Sequence, residues 1–367
     1  MSRAAALLFV LVAACSGGDG GDDGDGPDPG LPFGAAEREW TWVDVDGSRC
    51  MDGSATGIGV NLDGSLLDGS GHRVVFLEGG GGCFDETSCA GVAHQDGFGP
   101  AQLADFAAGG GQTGIFDRAA PANPLAGSSY VFVPYCSGDT HAGAAESGVD
   151  GRLHDGAANL RRAVTLVAGE LDRLERVLLI GQSAGGFGAT LEFDQVHQIL
   201  GDVPVDLLND SGPPMSDAYM TPCLQTIFRE AWNLAATVPV DCADCAGPDG
   251  GGLVNLVGFL AAKYPDSRFG LVSSLADRSI RGVYGNGYPD CENPTIPMPA
   301  DVFAAGIAEL RDDVMAELAN ARAFTIDGDQ HVWTQRPLDR TAVGGATLGS
   351  WIGDLVSGAA SWDSVAP

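Results

Sequence analysis

The chain has 367 residues and a formal net charge of −30, with Lys263 the only lysine among 19 basic residues, which argues against nucleic acid or anionic membrane surfaces as partners. Its length suits one large α/β domain with a lid, or two ordinary domains. The acidity reads first as a well-solvated surface.

Residues 1–14 combine a cationic start, Arg3, with an apolar run over residues 4–12 and small residues leading into Cys15. This pattern is similar to a bacterial lipoprotein signal whose cleavage leaves Cys15 as a lipidated N-terminus, and the run is too short to span a bilayer. An exported protein is therefore expected, either held at the cell envelope by that lipid or secreted. Residues 15–35 are mostly Gly, Asp and Pro and read as a flexible, self-repelling tether before a catalytic domain over residues 36–367. The Asp/Gly alternation lacks the bidentate Glu of an EF-hand loop, so no metal site is expected. With Cys15 set aside, the other cysteines (Cys50, Cys83, Cys89, Cys136, Cys223, Cys242, Cys245 and Cys291) form an even set, and export implies four disulfides. Cys242 and Cys245 have no second pair at zinc-site spacing, so they read as structural bridging cysteines.

From Trp40 an alternating apolar and polar pattern predicts an edge strand. A buried strand over residues 72–78 then runs into Gly79-Gly80-Gly81-Gly82-Cys83. Four glycines in succession are costly to order and imply that the backbone itself approaches something closely. Residues 130–134 predict the next strand. Leu160, Val164, Val167, Leu171 and Leu174 set a helix over residues 153–174. A strand over 177–180, a helix over 184–200 and a strand over 205–208 follow. Residues 213–265 break this rhythm and read as an irregular, disulfide-tied insertion forming a lid or cleft wall. A strand over 268–273, a helix over 300–321 and a strand over 323–326 complete the pattern. Alternating strands and helices imply an α/β fold with a mostly parallel sheet covered on both faces.

Between the strand at 177–180 and its helix lies Gly181-Gln182-Ser183-Ala184-Gly185, a G-x-S-x-G turn in strand-turn-helix context. Such a turn holds its central serine in a strained conformation with the hydroxyl exposed. A serine hydroxyl needs a base, normally histidine oriented by a carboxylate, and the α/β-hydrolase order is Ser, acid, His. Only His197 and His331 follow Ser183, and His197 sits well inside the elbow helix, which leaves His331 as the base. Asp277, Asp210, Asp327 and Asp329 all stand in positions open to the acid. Ala184 is expected to supply one oxyanion N–H, and Gly81 and Gly82 the others.

These residues resemble the pectin acetylesterase and Notum family of serine carboxylesterases. The resemblance is carried by Cys50-Met51-Asp52-Gly53-Ser54, Leu77 through Cys83 with Cys89, Tyr135-Cys136-Ser137-Gly138, residues 181–186, and the surroundings of Asp277 and His331. It implies an α/β-hydrolase fold, a Ser183/Asp277/His331 triad, no cofactor, and bridges Cys50 to Cys136 and Cys83 to Cys89. It also implies an acylated carbohydrate as substrate, pectin being one example. An aromatic wall usual in the glycine loop is expected to be lost at Gly82, and Asp139-Thr140-His141 departs from the usual residues there. Two other readings fit the same residues: a long-acyl, lipid-type carboxylesterase with a pocket built by the insertion, and a catalytically silent polysaccharide-binding surface protein.

Overall fold

The strand-rich stretches come together because their side chains alternate between two apolar layers. Along the sheet, Val75, Leu77, Val131, Leu179 and Leu207 face one core, while Val74, Phe76, Phe132, Leu178, Ile180 and Leu208 face the other. This two-residue alternation is what a pleated strand covered on both sides requires. The computed structural model describes residues 30–68, 72–170 and 175–367. The proposed signal, Cys15 and the end of the helix expected to reach residue 174 lie outside the described residues.

Eight strands form the central sheet: β1 (Trp40–Arg49), β2 (Ala55–Asn61), β3 (Arg73–Leu77), β4 (Ser129–Val133), β5 (Val177–Gln182), β6 (Val205–Asp210), β7 (Phe269–Ser274) and β8 (Ala321–Ile326). Their order is β1-β2-β4-β3-β5-β6-β7-β8. β1 pairs antiparallel with β2, and β2 with β4. The strands from β4 to β8 are parallel. The helix Gly156–Glu170 covers one face through Leu160 and Val164, and the helix Leu348–Ser357 covers the other through Trp351, Ile352 and Leu355. The carboxyl ends of β5 to β8 thus share one edge, where an open parallel sheet places its functional loops.

Several boundaries differ from the sequence reading. The folded unit begins at Leu31 rather than residue 36, because Leu31, Phe33 and Ala35 pack onto the core as soon as the Gly/Asp run ends. The helix after Ser183 is broken at Glu192 into Ala184–Leu191 and Phe193–Leu200. The helix expected to reach residue 321 stops at Glu309, continues as a wider turn over Leu310–Met315, and gives Ala321 to β8. Small Ala321 and Ala323 pair in register with Phe269 and Leu271, so sheet pairing overrides their helix propensity. The insertion is less irregular than expected, since it contains helices Pro222–Trp232 and Asn255–Lys263.

Four disulfides join Cys50 to Cys136, Cys83 to Cys89, Cys223 to Cys291 and Cys242 to Cys245. They mark a chain that folds in an oxidising compartment. Two of them anchor the insertion, one internally and one to the loop that follows the helix Arg278–Tyr284.

Candidate active site

Ser183 follows directly on β5 and caps the helix Ala184–Leu191 with φ 56° and ψ −120°. A non-glycine residue rarely adopts this conformation. It is held by Ser183 N–H donating to the Asp210 carbonyl at 2.7 Å, and by the Ser183 carbonyl accepting from Gly186 N–H at 2.9 Å. Gly181 is required because a Cβ there would strike the Gly185 backbone. The serine hydroxyl therefore stands clear at a helix N-terminus.

His331 lies just beyond β8, with Nε2 2.8 Å from Ser183 Oγ and Nδ1 2.8 Å from Asp277 Oδ2. Asp277 is fully buried and caps the following helix, its Oδ1 accepting from the Ser279 and Ile280 amides at 2.9 and 3.1 Å. The loops after β7 and β8 are zipped together by Leu275 N–H to Ile326 O, Ala276 N–H to Gly328 O and Arg278 N–H to Asp329 O. This pairing brings Asp277 and His331 together across a separation of 54 residues. Asp327 and Asp329 are exposed. His197 stacks on Tyr264 at 4.0 Å between ring centres, in the elbow's second helix.

Asp210, the other carboxylate considered for the acid, faces backbone instead. Its Oδ2 accepts from Trp333 N–H at 2.8 Å, Thr334 N–H at 2.7 Å and Thr334 Oγ1 at 2.8 Å. Burial raises the Asp210 pKa, and these hydrogen bonds oppose the rise.

Gly81, Gly82 and Ala184 line the same pocket as Ser183. The Ala184 amide opens the helix and has no intrahelical acceptor. In the glycine loop, Tyr135 Oη donates to the Gly81 carbonyl at 2.7 Å and Ala93 N–H donates to the Gly80 carbonyl at 2.8 Å. A trans peptide sets its N–H opposite its carbonyl, so fixing these two carbonyls fixes the Gly82 and Gly81 amides. Among the described residues, neither amide donates to a backbone carbonyl. Glu78 braces the start of the loop. Its carbonyl accepts from His141 Nε2 at 2.8 Å, and its carboxylate accepts from Tyr135 N–H at 2.9 Å and faces His94 Nε2 at 3.4 Å. Burial lowers the His141 pKa, while the Glu78 contact raises that of His94.

Beside Ser183 opens an apolar pocket whose walls include Phe84, Phe187, Met220, Phe228, Trp232, Leu253, Leu256 and Ile280. Met220, Phe228, Trp232, Leu253 and Leu256 come from the insertion, which makes it a cleft wall. The aromatic wall expected to be lost at Gly82 is present, because Trp232 stands there. A Cβ on Gly82 would lie 3.2 Å from Trp232 Cζ2. The indole is fixed by Nε1–H donating to the Cys83 carbonyl at 2.7 Å and by stacking on Phe228 at 4.8 Å. The sequence holds no local signal for this contact, which spans 149 residues.

The family model described as pectinacetylesterase matches residues 39–245 of the chain. The protein belongs to the pectinacetylesterase family. Within that family setting, it is 26% identical over 300 residues to pectin acetylesterase 11 of Arabidopsis thaliana, covering 77% of this chain and 74% of that protein. It is 29% identical over 170 residues to palmitoleoyl-protein carboxylesterase notum2 of Xenopus laevis. That match covers 44% of this chain and only 34% of the length of notum2. The solved structure of the Wnt deacylase Notum from Drosophila superposes with a TM-score of 0.61 at 18% identity, covering 87% of this chain and 94% of that one. The fold is thus of the α/β-hydrolase type found in Notum.

Proposed function

We propose that this protein is an exported serine carboxylesterase that removes acetyl or other short acyl groups from a polysaccharide such as pectin. One observation carries the reading: a strained serine whose hydroxyl meets an imidazole at 2.8 Å, itself held at 2.8 Å by a buried carboxylate. Ser183 Oγ attacks the ester carbonyl while His331 Nε2 takes its proton. Asp277 keeps Nδ1 protonated and stabilises the imidazolium. Charge developing on the carbonyl oxygen is met by the amides of Gly81, Gly82 and Ala184. Collapse of the tetrahedral intermediate expels the sugar hydroxyl, which receives the proton from His331. Water, deprotonated by His331, then attacks the acyl-serine and releases the carboxylate.

The carbohydrate substrate is supported by family membership and by the match to pectin acetylesterase 11 over most of both chains. The four disulfides support export; a lipid on Cys15 rests on the sequence pattern of residues 1–15. A second reading, hydrolysis of longer acyl esters, is favoured by the apolar lining of the pocket beside Ser183, which Phe84, Phe187, Phe228, Trp232, Leu253 and Ile280 supply.

The test measures acetate release from a panel of acetylated glycans, beside p-nitrophenyl acetate and octanoate, for the native protein and Ser183→Ala. Acetate release that disappears in the variant supports the primary reading. Faster turnover of octanoate supports the second, and no turnover of any ester leaves a silent binding protein.

A further inference from the structure

The nucleophile and the base belong to loops 148 residues apart in sequence, and one residue at the end of β6 touches the backbone beside both. The Asp210 carbonyl accepts from Ser183 N–H at 2.7 Å. Its carboxylate accepts three hydrogen bonds from Trp333 and Thr334, immediately after His331 and Val332. Its second oxygen accepts from Ser211 Oγ at 2.9 Å, and Ser211 Oγ in turn accepts from Val332 N–H at 3.2 Å.

The segment so held is strained. Val332 has φ 56°, a genuine outlier for a β-branched residue. Such a conformation is strained and persists only where surrounding contacts over-determine it. Here the amides of residues 332, 333 and 334 all end on Ser211 or Asp210, both fully buried. Released from that clamp, Val332 would relax toward ordinary backbone angles and turn the His331 side chain with it.

We propose that Asp210 is a positioning residue that couples the two reacting groups, fixing the Ser183 amide through its carbonyl and the His331 turn through its carboxylate. The proposal rests on the serine esterase reading. Asp210 does not touch substrate and takes no proton; it sets the Ser183 to His331 separation. The Asp210 carboxylate has two acceptor oxygens where asparagine has one. In Asp210→Asn the single oxygen can face Trp333 and Thr334 while Nδ2–H2 donates to Ser211 Oγ, so the links persist only as weaker, neutral hydrogen bonds.

Three proteins decide the matter: native, Asp210→Asn and Ser211→Ala, with Ser183→Ala as control. The readouts are kcat and KM for p-nitrophenyl acetate, near-ultraviolet circular dichroism, and the downfield proton resonance of His331 Nδ1–H in its bond to Asp277. For folded Asp210→Asn, kcat is expected to fall about 10- to 100-fold, because small misplacements of reacting groups carry losses of this size. KM should stay within about twofold, since the pocket is untouched, and the imidazole resonance should shift or broaden. Ser211→Ala, which removes one link only, should show the same pattern at severalfold, and it decides the question if Asp210→Asn does not fold. Native-like kcat in the folded variant, or reduced kcat with an unmoved resonance, overturns the proposal. Turnover retained by Ser183→Ala overturns the esterase reading instead, while the resonance still reports whether Asp210 holds the imidazole.

Discussion

The indole of Trp232, at the end of a helix in the insertion, lies over Gly82 of the glycine loop, 3.2 Å from where a Cβ at that position would stand. An aromatic side chain from a distant segment thus occupies space that a larger residue in the loop would need. Gly82→Trp is expected to destabilise the protein by overpacking, by about 1–3 kcal/mol or more. Trp232→Ala is expected to cost about 3 kcal/mol through the cavity it leaves. The double variant should recover part of the sum, because the two side chains compete for one site. Equilibrium urea unfolding of the four proteins measures the coupling, and strict additivity would contradict it.

The glycine beneath the elbow is equally constrained. A Cβ on Gly79 would stand 2.8 Å from Ser183 Cβ. Gly79→Ala should push the nucleophile off its line to His331 and lower kcat about 100-fold. Steady-state kinetics at a temperature where circular dichroism shows the variant folded checks this.

The pocket predicts a separable effect on chain length. Leu253 lines it from the insertion and is buried. Leu253→Trp should lower kcat/KM for an octanoyl ester at least about tenfold while leaving the acetyl ester within about threefold, since only the longer chain reaches the filled space. Parallel loss on both esters would place Leu253 outside the acyl path.

Behind the nucleophile helix, Glu192 is buried at the break between Ala184–Leu191 and Phe193–Leu200, and its Oε1 has no partner among the described residues. Burial first, then the nearby Asp139, raises its pKa well above 4.5. The folded protein therefore keeps a proton that the unfolded chain releases above about pH 4.5. This contribution to stability is complete below the unfolded value and is lost as pH rises toward the folded one. Glutamine stands in for the protonated carboxyl and has no proton to lose. Glu192→Gln should raise Tm at pH 8 and leave it unchanged near pH 4, as calorimetry across that range would show.

Local chemistry made much of this fold readable. The apolar runs of β3 to β8 and the G-x-S-x-G turn carry their own signals, because strand burial and the steric demands of the elbow are written in adjacent residues. His331 followed by elimination among six histidines. The acid could not be separated on residue type alone, since Asp210 ends the parallel strand β6 and Asp277 follows shortly after the parallel strand β7. What distinguishes them is which loop each faces: Asp277 meets an imidazole, whereas Asp210 meets the amides of Trp333 and Thr334. Trp232 was illegible for the same reason, because packing between segments 149 residues apart leaves no periodicity in either. The helix break at Glu192 and the start of β8 at Ala321, inside a stretch with helical spacing, are set by tertiary context rather than by local pattern.

The most direct test of the central claim is labelling with a fluorophosphonate, read by intact mass and peptide mapping. One adduct per native chain is expected, located on Ser183, with none on Ser183→Ala and none on the unfolded protein. A native chain that stays unlabelled, or takes the label equally well with alanine at position 183, would contradict that claim.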